Sequence, residues 1–198
     1  MSPVTHFLTG WALANTSLLN KRERALVTLA GVAPDVDGLG AIPEVLTRNS
    51  AHPLLWFSRY HHAMHNLAFA VVVAVASFLL ATRRWKTALL AFLSFHLHLL
   101  FDLAGARGPD GYPWPIPYLA PFSKRLNLTW SGQWPLNGWQ NFSITLALLV
   151  ATLALAWKRG YSPLEMLSAN ADRAVVGALR ERFGVSTPKE AVRISNKV

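Results

Sequence analysis

The chain has no cysteine and little charge. None of its 198 residues is Cys, and only 15% are charged, against about a quarter in an average soluble protein. Without Cys, disulfides, thiolate catalysis, iron–sulfur clusters and Cys-based zinc fingers are excluded, so a metal ion would be bound by His and carboxylates. The first residues also lack the basic region and cleavage site of a signal peptide, so we expect them to belong to the folded protein.

Long apolar runs are present and favour a membrane protein. About 20 apolar residues are needed to cross a bilayer core roughly 30 Å thick. Three stretches approach this length, at residues 63–82, 87–104 and 140–157, and two shorter ones lie at 6–19 and 25–33. We therefore predict an all-α fold, an integral membrane helical bundle of about five helices, with three clear spans and two short N-terminal helices.

Basic residues fall at alternate junctions of these segments, in residues 21–24, 83–86 and 158–159. In an up-down bundle these junctions lie on one side, and Lys and Arg in short loops stay cytoplasmic. We therefore predict a protein of the bacterial inner membrane with a cytoplasmic C-terminus. This topology accounts for the net charge of +9, so membrane lipid is the expected partner and no nucleic acid is expected.

The sequence after residue 160 has a different pattern. Ser162 is a predicted N-cap, Pro163 takes the first helical position, Glu165 follows the cap by three residues, and apolar residues recur at helical spacing to Phe183. We predict a membrane-embedded domain, residues 1–160, and a basic amphipathic tail, residues 161–198. The helix at 162–184 is expected to lie on the anionic inner leaflet, and binding of a cytoplasmic protein partner is the alternative.

The loop at residues 105–139 is rich in Trp and Pro and is too irregular to cross lipid. It lies on the side opposite the basic junctions, so we interpret it as an outer cap. Two roles stay open for it, which are anchoring at the membrane interface and forming a lid over a site.

Histidine and aspartate gather at the end of the bundle that this loop covers. His98 and Asp102 are four residues apart in the fourth segment, so they share a helix face and can reach one ion. His61 and His65 have the same spacing at the start of the third segment, and His62 lies three residues before His65. The pattern predicts that these side chains meet at one site.

Two further segments deliver similar residues to the same end. His6 opens the first helix, and Asp35 and Asp37 flank one residue in the turn after Pro34. One of these carboxylates can bind a metal while the other bridges a second ion or orients a His ligand. The candidate metal ligands are His6, Asp35, His61, His62, His65, His98 and Asp102.

Mixed imidazole and carboxylate ligands suit zinc first, with manganese or iron as alternatives. A metal ion also offsets the cost of placing ionisable groups at membrane depth. Helix geometry turns His96 away from His98, so we interpret His96 as a hydrogen-bonded core residue. We interpret His52 as a loop residue.

Five motifs, in this order, resemble the membrane-bound metal-dependent hydrolase family, also described as inner-membrane-associated hydrolases of the LexA-binding type. They are Thr5-His6, the turn at 34–37, the His-rich run at 61–66, the helix at 98–102 and the Trp/Pro run at 113–123. The resemblance covers residues 1 to about 125. A remoter similarity connects the chain with the zinc-dependent phospholipase C and single-strand nuclease group, which holds zinc on His-x-x-x-Asp helices.

One motif departs from the family pattern. The family's third motif usually reads His-Arg-x-x-x-His, whereas this chain has His-His-Ala-Met-His, which is one residue shorter. The departure leaves open whether His61 or His62 is the ligand. It also removes an arginine that would hold an anionic substrate, for which Arg59 is the candidate replacement.

The resemblance implies a hydrolase that uses metal-activated water at the outer end of the bundle, with Asp35 or Asp37 as the catalytic base. The expected substrate is a phosphoester or a lipid-linked phosphate that reaches the site from the outer leaflet. Three alternatives stay open: a metal or proton transporter, a non-catalytic regulatory membrane protein, and a closed structural zinc site. A transporter would carry polar residues further through the bilayer, and the third and fifth segments lack them on the inner half.

Overall fold

The computed structural model describes residues 1–108, 111–123 and 125–184, and this part of the chain is mostly helical. The α-helices are α1 (Pro3–Ala14), α2 (Lys21–Ala30), α3 (Ala41–Thr47), α4 (Trp56–Tyr60), α5 (Leu67–Leu80), α6 (Arg84–Gly105), α7 (Trp139–Arg159) and α8 (Ala169–Phe183). Two 3-10 helices occupy Ala33–Gly40 and Pro163–Met166. Strands β1 (Ile116–Pro117) and β2 (Asn127–Leu128) pair antiparallel. The mostly helical structure agrees with the predicted all-α class. The described residues contain eight α-helices instead of the predicted five and the tail helix, because α3 and α4 form at residues 41–60, where we predicted no helix.

Two helices, α6 and α7, are long and apolar enough to cross a membrane. A bent pair, Lys21–Ala30 with Ala33–Thr47, adds a third candidate if it forms one broken span, and its halves meet at 55°. The predicted clear span at 63–82 is wrong, because Asn66 caps α5 by accepting a hydrogen bond from the Phe69 amide at 2.9 Å. The 14 residues of α5 cover only about 21 Å, less than a bilayer core.

Helix α6 is the centre of the first compact unit, residues 1–148, and packs against α1, α2 and α5. Small residues permit the close approach of α1, α2 and α6. A Cβ on Gly10 would lie 2.8 Å from the Thr28 carbonyl, and a Cβ on Gly31 would lie 2.7 Å from Ser94 Oγ. Small residues at helix contacts are typical of membrane bundles, because the hydrophobic effect does not drive helices together in lipid and close packing has to stabilise their association.

Local signals explain how the first two helices begin. Ser2 caps α1 by accepting a hydrogen bond from the Thr5 amide at 3.2 Å, and Pro3 follows it. Asn20 and Glu23 form a reciprocal capping box at the start of α2. The buried Glu23 also accepts a hydrogen bond from the Arg83 amide at 2.6 Å, which ties α2 to the start of α6. These contacts fix the register of the helices that carry the site.

The second compact unit comprises residues 149–198, of which 149–184 are described. The predicted single helix from Ser162 is wrong. Ser162 caps only the 3-10 helix Pro163–Met166, and Ser168 then caps α8 by accepting a hydrogen bond from the Ala171 amide. The apolar pattern continues across both elements, but the second cap, Ser168, starts a new helix and so divides the predicted one. The predicted boundary at residue 160 stays a prediction, and the last part of the tail, 185–198, lies outside the described residues.

Candidate metal centre

Three elements bring four ligand-type side chains together. Asp35 comes from the first 3-10 helix, His65 from the turn before α5, and His98 and Asp102 from α6. One ligand atom from each of the four lies within 4.8 Å of the others. His65 and His98 are buried, and Asp35 and Asp102 are partly buried. We call these four residues the ligand cluster.

The distances within the ligand cluster are short enough for its members to share one metal ion. His98 Nε2 lies 3.2 Å from His65 Nε2 and 3.1 Å from Asp102 Oδ2, and His65 Nε2 lies 3.5 Å from the same carboxylate oxygen. Ligands bound at zinc distances in a tetrahedral site lie about 3.3–3.5 Å from one another. Asp35 Oδ1, at 3.8 Å from His98 Nε2, completes the set. The ligand cluster could therefore hold a metal ion.

Neighbouring groups orient the two imidazoles. His98 Nδ1–H donates a hydrogen bond of 2.8 Å to the Gly31 carbonyl, so its Nε2 is directed at the cluster. That carbonyl lies at the bend that follows α2. His65 Nδ1 lies 3.3 Å from Asp37 Oδ2, which also accepts a hydrogen bond from the Met64 amide at 3.1 Å. Carbonyl and carboxylate partners of this kind fix the orientation of metal-binding histidines.

Two cationic groups lie beside Asp102. Burial by itself would lower the pKa of His65, but its contacts with Asp102 and Asp37 outweigh burial and raise this pKa to about 9. The Met1 ammonium group also contacts Asp102. The carboxylates thus create a position that favours a cation, and a metal ion binding there would displace the His65 proton.

His6 lies next to the ligand cluster and outside it. Its Nε2–H donates a hydrogen bond to Asp102 Oδ1 at 3.0 Å, and its ring stacks on that of His98 with centroids 3.7 Å apart. Its buried Nδ1 has no hydrogen-bond partner within the described part of the chain. The structure thus brings His6 to the site as a support for Asp102, and its role as a ligand stays a prediction.

His61 and His62 lie on the wall of the site. His61 Nδ1–H donates to Asp37 Oδ1 at 3.1 Å, and the His62 ring meets the edge of Trp114. The argument from helical spacing is wrong for His61 and His65, because both lie in the turn before α5 and not on a helix. Neither His61 nor His62 joins the ligand cluster, so the choice between them as a ligand stays open.

A cavity of about 370 Å³ opens at the ligand cluster. Asp35, His65 and Asp102 line it on one side. The other walls include Leu39, Phe57, Trp114 and Ile116. Burial, followed by the nearby His65 and His61, lowers the pKa of His62 to about 4, so this wall carries a neutral imidazole at neutral pH. The ligand cluster is therefore accessible from a mostly apolar chamber.

Gln133 is a supporting residue that the sequence analysis missed. Its buried side chain donates hydrogen bonds to the carbonyls of Asp102 at 2.9 Å and Leu103 at 3.3 Å, and it accepts one from the Trp114 amide at 2.6 Å. It thus fastens the loop at 105–139 over the end of α6. A single amide in an irregular loop follows no periodic pattern, so no sequence signal marked it.

Asn141, in the first turn of α7, has a similar role. Its side chain donates to the carbonyls of Gly105 at 2.8 Å and Leu136 at 2.7 Å, and it accepts a hydrogen bond from Trp134 Nε1 at 2.7 Å. The loop therefore has a fixed place on α6. Trp114 forms part of the cavity wall, which favours the lid role for this stretch of the loop.

His96 is engaged elsewhere on α6. Its Nδ1–H donates to the Phe92 carbonyl at 2.8 Å, and its Nε2 lies 3.0 Å from the Tyr118 hydroxyl. It takes no part in the ligand cluster, and His52 is exposed in a turn.

Comparison with known proteins gives one match. No curated protein and no solved structure matches the chain. The sequence model of one family, described as YdjM inner membrane protein, matches residues 1–175, which include all four residues of the ligand cluster and both long apolar helices. The chain therefore belongs to the YdjM inner membrane protein family.

Proposed function

We propose that this protein is a membrane-bound metal-dependent hydrolase. The observation that carries the proposal is the position of the ligand cluster, which is mostly buried yet forms one wall of an open cavity. A structural zinc site is closed and leaves no place for water or substrate. An accessible set of two imidazoles and two carboxylates supports catalysis instead, with zinc as the first choice of metal.

The residues around the ligand cluster can take separate roles in hydrolysis. A bound divalent ion supplies Lewis acidity and lowers the pKa of coordinated water toward neutrality. Asp35 Oδ2 is buried and has no hydrogen-bond partner within the described residues, so this carboxylate is the better candidate for the base. Both oxygens of Asp37 contact neighbouring groups, so Asp37 orients His61 and His65.

His62 is the candidate for a proton relay, since its neutral ring could accept the proton that Asp35 removes from the attacking water and pass it to the leaving group. Its ring lines the cavity beside Trp114, and its buried Nδ1 has no hydrogen-bond partner among the described residues. A positioned imidazole of this kind typically contributes about 10²- to 10⁴-fold to a rate.

The proposed substrate is a phosphoester on a lipid or a lipid-linked group. Apolar residues such as Leu39, Phe57 and Ile116 form much of the cavity, which suits a substrate with a hydrocarbon part. We also propose that the site faces outward, because the basic residues at 21–24 and 83–86 lie where α2 and α6 begin, and the site lies at the other ends of these helices. The basic residues at 158–159 favour a cytoplasmic C-terminus by the same rule.

The test uses detergent-purified protein loaded with zinc, with dodecyl phosphate and phosphatidic acid as substrates and release of inorganic phosphate as the readout. We expect turnover by the wild type. We also expect the His62→Gln variant to keep its zinc and to lose about a hundredfold or more in rate. His96→Gln is the matched control, because His96 lies on the same helix as His98 but outside the cavity. No phosphate release by the zinc-loaded wild type, or equal rates for the two variants, would contradict the proposal.

A further inference from the structure

Helices α3 and α4 form a short hairpin, residues 41–60, next to the cavity. Its two arms are fastened together. The Glu44 carboxylate accepts hydrogen bonds from the Ser58 amide, at 2.9 Å, and from the Ser58 hydroxyl, and Thr47 Oγ1 accepts one from the Leu54 amide at 2.8 Å. At the base of the hairpin, a Cβ on Gly40 would lie 3.0 Å from the Phe57 amide nitrogen. The hairpin is therefore held together by its own hydrogen bonds and is packed closely at its base, beside the site.

This hairpin exposes many apolar side chains. Leu46 is 79% exposed and Trp56 is 52% exposed. The exposed set, which we call the apolar hairpin residues, comprises Ile42, Val45, Leu46, Leu54, Leu55 and Trp56. Single exposed apolar residues are ordinary, but six within 15 positions indicate a surface that some apolar partner covers.

The other exposed residues of the hairpin indicate which partner this is. Tyr60, Arg48 and Arg59 are exposed alongside Trp56. Aromatic rings with an apolar body and a polar tip prefer the headgroup level of a bilayer, and arginine pairs with lipid phosphates there. The first arm of the hairpin, α3, is also part of the bent pair of helices, which is a candidate broken span or re-entrant loop. Lipid, and not a second protein, fits this combination.

The hairpin meets the cavity at its base. Leu39, immediately before α3, lines the cavity and is 61% exposed, and Phe57 of α4 lines the cavity and stacks on His61. Exposed apolar side chains therefore occur both in the cavity wall, at Leu39, and along the hairpin that follows it.

We propose that the apolar hairpin residues lie in the bilayer leaflet at the site end of the bundle, with the turn at 48–52 facing water, and that lipid alkyl chains reach the mouth of the cavity beside Leu39. The substrate is then an amphiphile whose alkyl chain stays in the bilayer while its head group reaches the ligand cluster. The hairpin placement stands on its own contacts, and the substrate class rests on the proposed hydrolase function.

Because the chain has no cysteine, a single introduced thiol can be labelled specifically. Leu46→Cys, Leu39→Cys and the control Asn49→Cys each introduce one thiol at an exposed position, and each is labelled with a bimane fluorophore in the full-length protein. The labelled proteins are reconstituted into vesicles of phosphatidylethanolamine and phosphatidylglycerol. Fluorescence is quenched either by a lipid with a nitroxide on its acyl chain or by iodide in the water.

We expect the nitroxide lipid to quench positions 46 and 39 several-fold more strongly than position 49, and iodide to show the reverse order. Ile42→Cys serves as a second probe if Leu46→Cys does not fold, and it should behave like position 46. Equal iodide quenching at positions 46 and 49 would overturn the hairpin placement, and strong iodide quenching at position 39 would overturn lipid access to the cavity. The assay requires neither metal nor turnover, so failure of the hydrolase proposal would leave the quenching pattern unchanged.

Discussion

Replacement of Gly31 by alanine tests how helix packing positions the ligand cluster. The new Cβ would lie 2.7 Å from Ser94 Oγ, 3.1 Å from the His6 carbonyl and 3.3 Å from the Thr28 carbonyl. The shortest of these contacts falls about 0.7 Å below ordinary van der Waals distance, so α1 and α6 must move away from α2 or Ser94 must rotate.

The displacement acts directly on the ligand cluster, because the Gly31 carbonyl holds His98 Nδ1 at 2.8 Å. Site geometry has to be kept to within about 0.5 Å for function. We expect Gly31→Ala to weaken zinc binding about 10- to 100-fold and to destabilise the fold by about 1–3 kcal/mol. Competition with a chromophoric chelator measures the zinc affinity, and thermal unfolding in detergent measures the stability.

Two further variants serve as controls. Ser94 Oγ has no hydrogen-bond partner within the described residues, so Ser94→Ala removes the shortest contact at little cost and should restore most of the zinc affinity of Gly31→Ala. A Cβ on Gly177, in α8, meets no atom within 4 Å, so Gly177→Ala should leave zinc binding unchanged. Wild-type affinity in Gly31→Ala, or no recovery in the double variant, would refute the reasoning.

Two other variants test groups that support the site without belonging to the ligand cluster. Asp37→Asn removes the charge beside His65 and should weaken zinc binding about 10- to 100-fold in the same chelator assay, whereas Asp172→Asn, in the second unit, should have no effect. Gln133→Ala leaves the Trp114 amide and the Asp102 carbonyl without their partner and should destabilise the fold by about 1–3 kcal/mol in thermal unfolding. Unchanged zinc affinity in Asp37→Asn, or an unchanged melting temperature in Gln133→Ala, would count against these roles.

Regular helices made part of the site predictable. His98 and Asp102 lie on α6, and their spacing of four residues correctly places both in the ligand cluster. His65 also reaches this cluster, but for a different reason from the predicted one. Its position depends on the turn that precedes the Asn66 cap, and contacts made by a turn have no sequence period. The spacing therefore identified His65 correctly, although the helical geometry from which it was inferred is wrong.

The remaining features depend on contacts between distant segments. The Gly31 carbonyl reaches His98 only because Gly10, Gly31 and Ser94 let three helices approach closely. The hairpin at 41–60 escaped notice because Pro43 and Pro53 interrupt its apolar residues, leaving no run long enough to read as a span. The composition predicted a membrane protein correctly, and it could not reveal that one of the expected spans is shortened by a cap.

Metal content of the detergent-purified protein tests the central claim most directly. Elemental analysis should find stoichiometric zinc in the wild type and in His96→Ala, whose imidazole lies on α6 outside the ligand cluster. His98→Ala and Asp102→Ala should both lose the metal while they keep the helical circular dichroism of the wild type. A wild type that contains no metal and takes up none on reconstitution, or variants that retain it, would contradict the account.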